Sequence, residues 1–291
     1  MKSTTRHSNR QPRLRYTDSG GTGPILVLLH GVTRCGGDWE PILAALSASW
    51  RILSLDQRGH GGSARAERYL ITDFVDDALY FVSEEVAAPV VIFGHSLGAM
   101  VAAAVAAELP QHVRGIVLED PPFHTMGSRI AGSAWHALFV GMRKAAEQGR
   151  DVTTTSKLLA EISLPVRAGG MQRLGDLRDR ASLEWSAECL RQLDPSVLAS
   201  VIEGSWLEGY DVTGVLSRIR CPSLLLQADP AAGGALTDDD AAALVAMPYC
   251  QHVRFSGAGH QLHRDNTEAV LHALKRFLDP IRPFVGAKEN H

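Results

Sequence analysis

Val90-Val-Ile-Phe-Gly-His-Ser-Leu-Gly98 is the stretch that decides how this chain folds. Four consecutive apolar residues, Val90–Phe93, are too few for a helix and suit a strand buried on both faces. The Ala-rich run Leu97–Leu109 reads as a helix, ended by Pro110. Between the two, Gly94 and Gly98 flank Ser96. A strand that turns sharply into a helix needs glycines there, because side chains would clash with neighbouring backbone. The turn lifts the Ser96 hydroxyl above the sheet and aims it at a helix N-terminus, whose N–H groups are unpaired. A bare Gly-x-Ser-x-Gly arises by chance in roughly one chain in ten of this length. Its place between strand and helix is what makes Ser96 a candidate nucleophile.

Outward from this stretch, the same strand–helix alternation repeats. Leu14–Thr17, Ile25–Leu29, Arg51–Leu55, Gly115–Leu118, Ser223–Gln227 and His252–Phe255 read as strands. Pro41–Ala48, Thr72–Val82, Asp238–Ala246 and Thr267–Leu278 read as helices. The order predicts an α/β fold, a mostly parallel sheet with helices on both faces. The alternation breaks between Pro121 and about Ser217. That segment is helical in its periodicity, shows no convincing strand, and is too long for a loop. Asp194-Pro195 opens one of its helices, and Leu183, Ala187, Leu190 and Leu193 make an apolar stripe on the one before. It is expected to be a helical cap inserted between two strands. The polar, basic start, residues 1–12, is expected to be a flexible tail.

The chain has 291 residues, 45% of them apolar and 21% charged, which suits one large α/β unit. A formal net charge of -3 argues against a nucleic-acid partner. No window is apolar enough to span a bilayer, and no secretory h-region is present, so a cytoplasmic location is expected. Cys35, Cys189, Cys221 and Cys250 are scattered without metal-ligand spacing and are read as free thiols. The twelve histidines form no His-x-x-x-His pair on a helix. No metal and no cofactor are expected. The expected partner is a small-molecule substrate, with neither nucleic acid nor membrane, and a homodimer is left open.

Two further segments carry chemistry. Leu28-Leu-His-Gly-Val32 is a strand ending in His-Gly. A tetrahedral intermediate needs two preorganised donors for its oxyanion, each worth about 3 kcal/mol. The N–H of Leu97, next after Ser96, supplies one, and the N–H of Val32 is placed to supply the other. His30 is read as an anchor of that loop. Near the C-terminus, Ser256-Gly-Ala-Gly-His260 follows a strand and sets an imidazole on a glycine-lined loop, a fit for the general base. His263 and His272 lie in or beside the last helix and are read as surface or packing residues.

The order of these segments, with Asp56-Gln-Arg-Gly-His-Gly-Gly-Ser63 between them, closely resembles the α/β-hydrolase superfamily from about residue 13 to 280. The resemblance implies an eight-stranded, mostly parallel sheet, a lid, and an acid between nucleophile and base in the chain. It assigns Ser96 as nucleophile, His260 as base, Val32 and Leu97 as oxyanion donors, and a structural role to Asp56–Ser63. It divides the chain into a core, 13–120 and 218–291, and a cap, 121–217. The acid departs from the family pattern. Asp229, in Gln227-Ala-Asp-Pro-Ala-Ala-Gly-Gly234, stands after the usual strand but early, and is the expected choice. Asp120, after the preceding strand, is the alternative.

These parts imply two-step acyl transfer on a small apolar ester or lactone. An amidase, a C–C bond hydrolase, or a non-catalytic binding protein on the same scaffold are the alternatives. Gly31, Phe123, Trp135, Trp185 and Trp206 are the expected substrate-binding residues, with Phe139 and Tyr210 as further candidate walls. Arg34 reads as a solvated loop arginine, a carboxylate contact being its alternative role.

Overall fold

The structure, a computed structural model, describes residues 3–127, 129–165 and 169–281. The last ten residues of the expected core, 282–291, lie outside the described residues. Ten strands occur among those described. β1 (Thr4–His7), β2 (Arg15–Asp18), β3 (Ile25–Leu29), β4 (Arg51–Leu55), β5 (Val90–His95) and β6 (Val113–Glu119) precede a two-stranded ribbon. That ribbon is β7 (Ser163–Pro165) with β8 (Met171–Arg173), and β9 (Ser223–Ala228) and β10 (Cys250–Phe255) follow. Eight of them form one sheet in the order β1-β2-β4-β3-β5-β6-β9-β10. From β4 to β10 every pairing is parallel; β1 and β2 run antiparallel at one edge.

Alternate residues of the central strands bury on opposite faces, as the pleat demands. Val27 and Leu29 join a core with the helix Leu97–Glu108, while Leu26 and Leu28 join one with Trp39, Ile42 and Phe277. Leu97 to Ala107 are all buried, an apolar surface all round. Alanine side chains let this helix sit close to β5 and β6, and helices Ile71–Tyr80 and Val212–Arg218 close over its outer side.

Two expectations need correction. Thr4–His7 is no loose tail. It pairs with β2, and the turn behind it is closed by Leu14 N–H donating to Ser8 Oγ at 2.9 Å. The segment between β6 and β9 is mainly helical, with helices Ala134–Gln148, Val152–Ala160, Leu174–Leu177, Arg180–Arg191, Val197–Glu203 and Val212–Arg218. It also carries the β7–β8 ribbon, too short for a strand pattern to register in sequence. The helix expected to open at Asp194 begins at Val197 instead. Asp194 still caps the turn leading into it, its Oδ1 accepting the Ser196 N–H at 3.0 Å while its Oδ2 accepts the Tyr69 hydroxyl at 2.7 Å. No helix among the described residues is long and apolar enough to cross a membrane.

Candidate active site

Ser96 sits at φ 53°, ψ -117°, a strained left-handed backbone for a residue with a side chain. The strain follows from the sharpness of the turn between β5 and its helix. A Cβ on Gly94 would collide with the backbone of Gly98 and Ala99, and one on Gly98 with the Leu29 carbonyl. Ser96, Gly31, Val32, His95 and His260 line one cavity of about 80 Å³. The rest of its wall includes Trp135, Leu138, Phe139, Met142, Leu174 and Arg178, all from the segment between β6 and β9. The Trp135 ring meets the His260 imidazole edge-on at 4.9 Å.

His260 Nδ1 lies 2.5 Å from Asp120 Oδ2. Asp120 is fully buried at the end of β6, where φ 44° turns its carboxylate back toward β9. Its oxygens also accept the N–H groups of Ala235 at 2.7 Å, Leu236 at 3.2 Å and Ala228 at 3.4 Å. Asp229, the expected acid, is engaged elsewhere. Its Oδ1 accepts the Ala231 N–H two residues on, at 2.9 Å, and its Oδ2 accepts the Gly257 N–H at 2.8 Å. Asp229 therefore pins the loop that carries His260, and Asp120 is the carboxylate that meets the imidazole. Asp-Pro-Ala is an Asx-turn sequence, a local signal that the carboxylate is already used.

Two peptide groups beside Ser96 are fixed by their carbonyls. Gly31 O accepts from His30 Nδ1 at 2.8 Å and from Arg34 N at 3.0 Å. Ser96 O accepts from Ala99 N at 3.0 Å and Met100 N at 3.2 Å. In a trans peptide the N–H points opposite the carbonyl. The Val32 and Leu97 N–H groups are thereby set in direction before any ligand arrives. His30 does anchor the loop. Its Nε2 accepts the Gln57 N–H at 3.0 Å, and burial, then the charge of His60, push its pKa down to about 4, so it stays neutral.

Beneath the turn lies a buried charged cluster. His263, read from sequence as a packing or surface residue, has Nδ1 2.8 Å from Glu119 and Nε2 3.0 Å from Asp38. Both nitrogens face carboxylates, so both donate. Burial alone would lower its pKa, but the charges of Glu119 and Asp38 raise it to about 9. Burial would raise Asp38, yet the Arg34 charge and the His263 hydrogen bond hold it far below the usual carboxylate range. His95 is wedged between the rings of His260 and His263, at 4.6 and 5.1 Å, and donates from Nε2 to the His260 carbonyl at 2.9 Å. Burial, then the charges of those two histidines, push it well below an ordinary histidine, hence neutral. Asp38, His95 and His263 offer ligand atoms within 4.8 Å of one another. Both His263 nitrogens donate to carboxylates, so His263 has no lone pair to offer a metal, while His95 Nδ1 keeps one and has no partner among the described residues.

The family profile described as alpha/beta hydrolase fold matches residues 24–266. The chain belongs to that family. Its sheet order and the strand–Ser96–helix turn agree with the assignment, and the protein is an α/β-hydrolase enzyme. It is 31% identical over 274 residues to the pimeloyl-[acyl-carrier protein] methyl ester esterase of Xanthomonas oryzae pv. oryzae, covering 90% of this chain and 98% of that one. It is 26% identical over 270 residues to the 2-(acetamidomethylene)succinate hydrolase of Mesorhizobium japonicum, covering 89% of each. Among solved structures, the enol-lactonase of Burkholderia xenovorans superposes with a TM-score of 0.73 at 21% identity, over 94% of this chain and 100% of that one.

Of the expected pocket residues, this α/β hydrolase brings Gly31, Trp135 and Phe139 to the cavity. Three of the aromatic residues serve packing instead. Phe123 and Trp206 are buried in the core, and the Tyr210 hydroxyl donates to the Met100 carbonyl at 2.8 Å. Trp185 reaches past the cavity to donate from Nε1 to Asp38 at 2.7 Å. Leu138, Met142, Leu174, Arg178 and Gln261 line the cavity without having been expected. Leu138 and Met142 share a helix face with Trp135 at i, i+3 and i+7, the one signal that pointed to them.

Proposed function

We propose that Ser96, His260 and Asp120 form a nucleophile–base–acid triad that hydrolyses a small ester or lactone through an acyl-enzyme. The His260–Asp120 contact at 2.5 Å, with His260 lining the same cavity as Ser96, carries this reading. Asp120, held by three backbone N–H groups, keeps the proton of the neutral imidazole on Nδ1. That leaves Nε2 free to take the Ser96 proton as Oγ attacks the carbonyl. The oxyanion receives the Val32 and Leu97 N–H groups, and the proton on Nε2 passes to the leaving alcohol. Water, deprotonated by the same nitrogen, then releases the acid. Substrates are short, because about 80 Å³ is well below a drug-sized pocket and its wall is mostly apolar. Similarity to a methyl ester esterase supports a small leaving alcohol.

The test compares p-nitrophenyl acetate and octanoate with the wild type and Ser96→Ala. Acetate turnover that exceeds octanoate turnover and is lost in the variant is the expected outcome. Hydrolysis that survives in Ser96→Ala sinks the nucleophile assignment. Turnover of the matching anilides but of neither ester would move the reading to an amidase.

A further inference from the structure

Arg34 departs furthest from what its sequence position suggests. It lies in the turn Gly31–Arg34, closed by Arg34 N–H donating to Gly31 O at 3.0 Å, directly after the Val32 N–H. A loop arginine there should reach solvent, but this one is only 6% exposed. Nη1–H donates to Ser186 Oγ at 3.0 Å, while Nε is buried with no hydrogen-bond partner among the described residues. An unpaired guanidinium N–H away from water is costly, so Nε calls for a partner beyond the described residues. Arg34 also lines the cavity that holds Ser96 and His260.

Neutralising Asp38 does not by itself account for this arginine. Asp38 already has His263 at 3.0 Å and Arg264 at 3.5 Å. Across the cluster, the carboxylates of Asp38 and Glu119 face three cations, Arg34, His263 and Arg264. Arg178, the other arginine of that wall, already pairs with Asp265 at 3.2 Å and is more exposed.

We infer that Arg34 is a carboxylate-binding subsite of the Ser96 cavity, so that the substrate is a short ester bearing a free carboxylate. The inference rests on the proposed Ser96 hydrolase chemistry for the word ester; the anion site itself stands on Arg34. A cavity of about 80 Å³ spans only a few bonds. Carboxylate and reacting carbonyl therefore belong to one compact acid, as in a half-ester of a short dicarboxylic acid. Guanidinium recognises carboxylate through paired N–H donors, and Nε supplies one of them.

The experiment compares monomethyl succinate with methyl 4-methylpentanoate, which puts a neutral isopropyl group where the first has its carboxylate. Affinities are measured by calorimetry on Ser96→Ala, and kcat/KM on the wild type. Monomethyl succinate should be preferred by about 30-fold or more in both, the scale of a charge-assisted pair. In Arg34→Met the preference should fall to within threefold, and Arg34→Lys should restore part of it. Equal affinity of the two ligands for Ser96→Ala overturns the proposal, as does a preference that survives Arg34→Met or disappears in Arg178→Met. If Arg34→Met fails to fold, the charged-against-neutral comparison in Ser96→Ala and Arg178→Met still decides. Binding without turnover in the wild type would refute the hydrolase reading and leave the anion site standing.

Discussion

Asn in place of Asp120 tests how His260 is held. Each oxygen of Asp120 accepts from two donors: Oδ2 from His260 Nδ1 at 2.5 Å and Ala235 N at 2.7 Å, Oδ1 from Leu236 N at 3.2 Å and Ala228 N at 3.4 Å. An amide NH2 on either side therefore meets two donors. Turned toward Leu236 and Ala228, it loses the longer bonds and keeps the proton on Nδ1, but the imidazolium formed during attack has no anion beside it. At about 4 Å and an effective dielectric of about 20, that attraction is worth about 4 kcal/mol, or about a thousandfold in rate. Turned toward His260, the NH2 makes Nδ1 an acceptor and puts the proton on Nε2, which then cannot take one from Ser96. The wrong tautomer brings the loss to about ten-thousandfold. Asp120→Asn should thus lower kcat on p-nitrophenyl acetate by 10³ to 10⁴, on the scale of these estimates. Asp229→Asn, which disturbs only a loop contact, should cost less than about tenfold. Thermal unfolding of both variants confirms that they fold. Asp120→Asn retaining more than about a tenth of wild-type kcat would refute the reasoning, since no anion would then be acting on His260.

Three further outcomes follow from the geometry. The folded-state pKa of His263 is raised to about 9 from 6.5, so its stabilising contribution is complete below pH 6.5 and is lost as pH rises through 9. That contribution is on the order of 3 kcal/mol, and melting curves from pH 6 to 10 should fall more steeply for wild type than for His263→Gln; parallel curves would contradict it. Ser96→Gly should melt about 2 °C above Ser96→Ala, because glycine relieves about 1 kcal/mol of strain at φ 53°. Equal melting temperatures would mean that the turn stores no strain at that residue. Gly98→Ala, whose Cβ would strike the Leu29 carbonyl, should destabilise the fold by at least 2 kcal/mol, on the order of a severe steric defect, and chemical denaturation measures it.

The parts of this enzyme legible in sequence are those set by local chemistry. Val90–Phe93 and Ile25–Leu29 show as strands because both faces are buried, leaving unbroken apolar runs. Gly94 and Gly98 show as a tight turn because no other residue fits there. The proposed acid was not legible in the same way. β6 and β9 are neighbours, so the carboxyl ends of both lie beside the His260 loop, and position along the chain does not separate Asp120 from Asp229. What separates them is the Asx turn at Asp229 and the positive φ at Asp120. His263 is buried as a packing residue would be, but its ion pairs, like the burial of Arg34, depend on partners remote in sequence, Asp38 and Glu119 for one and Ser186 for the other. β1 was missed because its four residues are all exposed, with no apolar face to mark them.

The stretch from Gly31 to Gly37 touches helix Arg180–Arg191 at successive points. Arg34 reaches Ser186, Cys35 Sγ lies 3.6 Å from Cys189 Sγ, and Gly37 packs under the Trp185 ring so closely that a Cβ would lie 3.0 Å from it. The same stretch carries the Val32 N–H. A substitution that shifts that helix should therefore be felt at the Val32 N–H, the proposed oxyanion donor. Helix and loop thus make one supporting frame, and the seating of that loop depends on side chains remote in the chain, Ser186 standing 152 residues from Arg34.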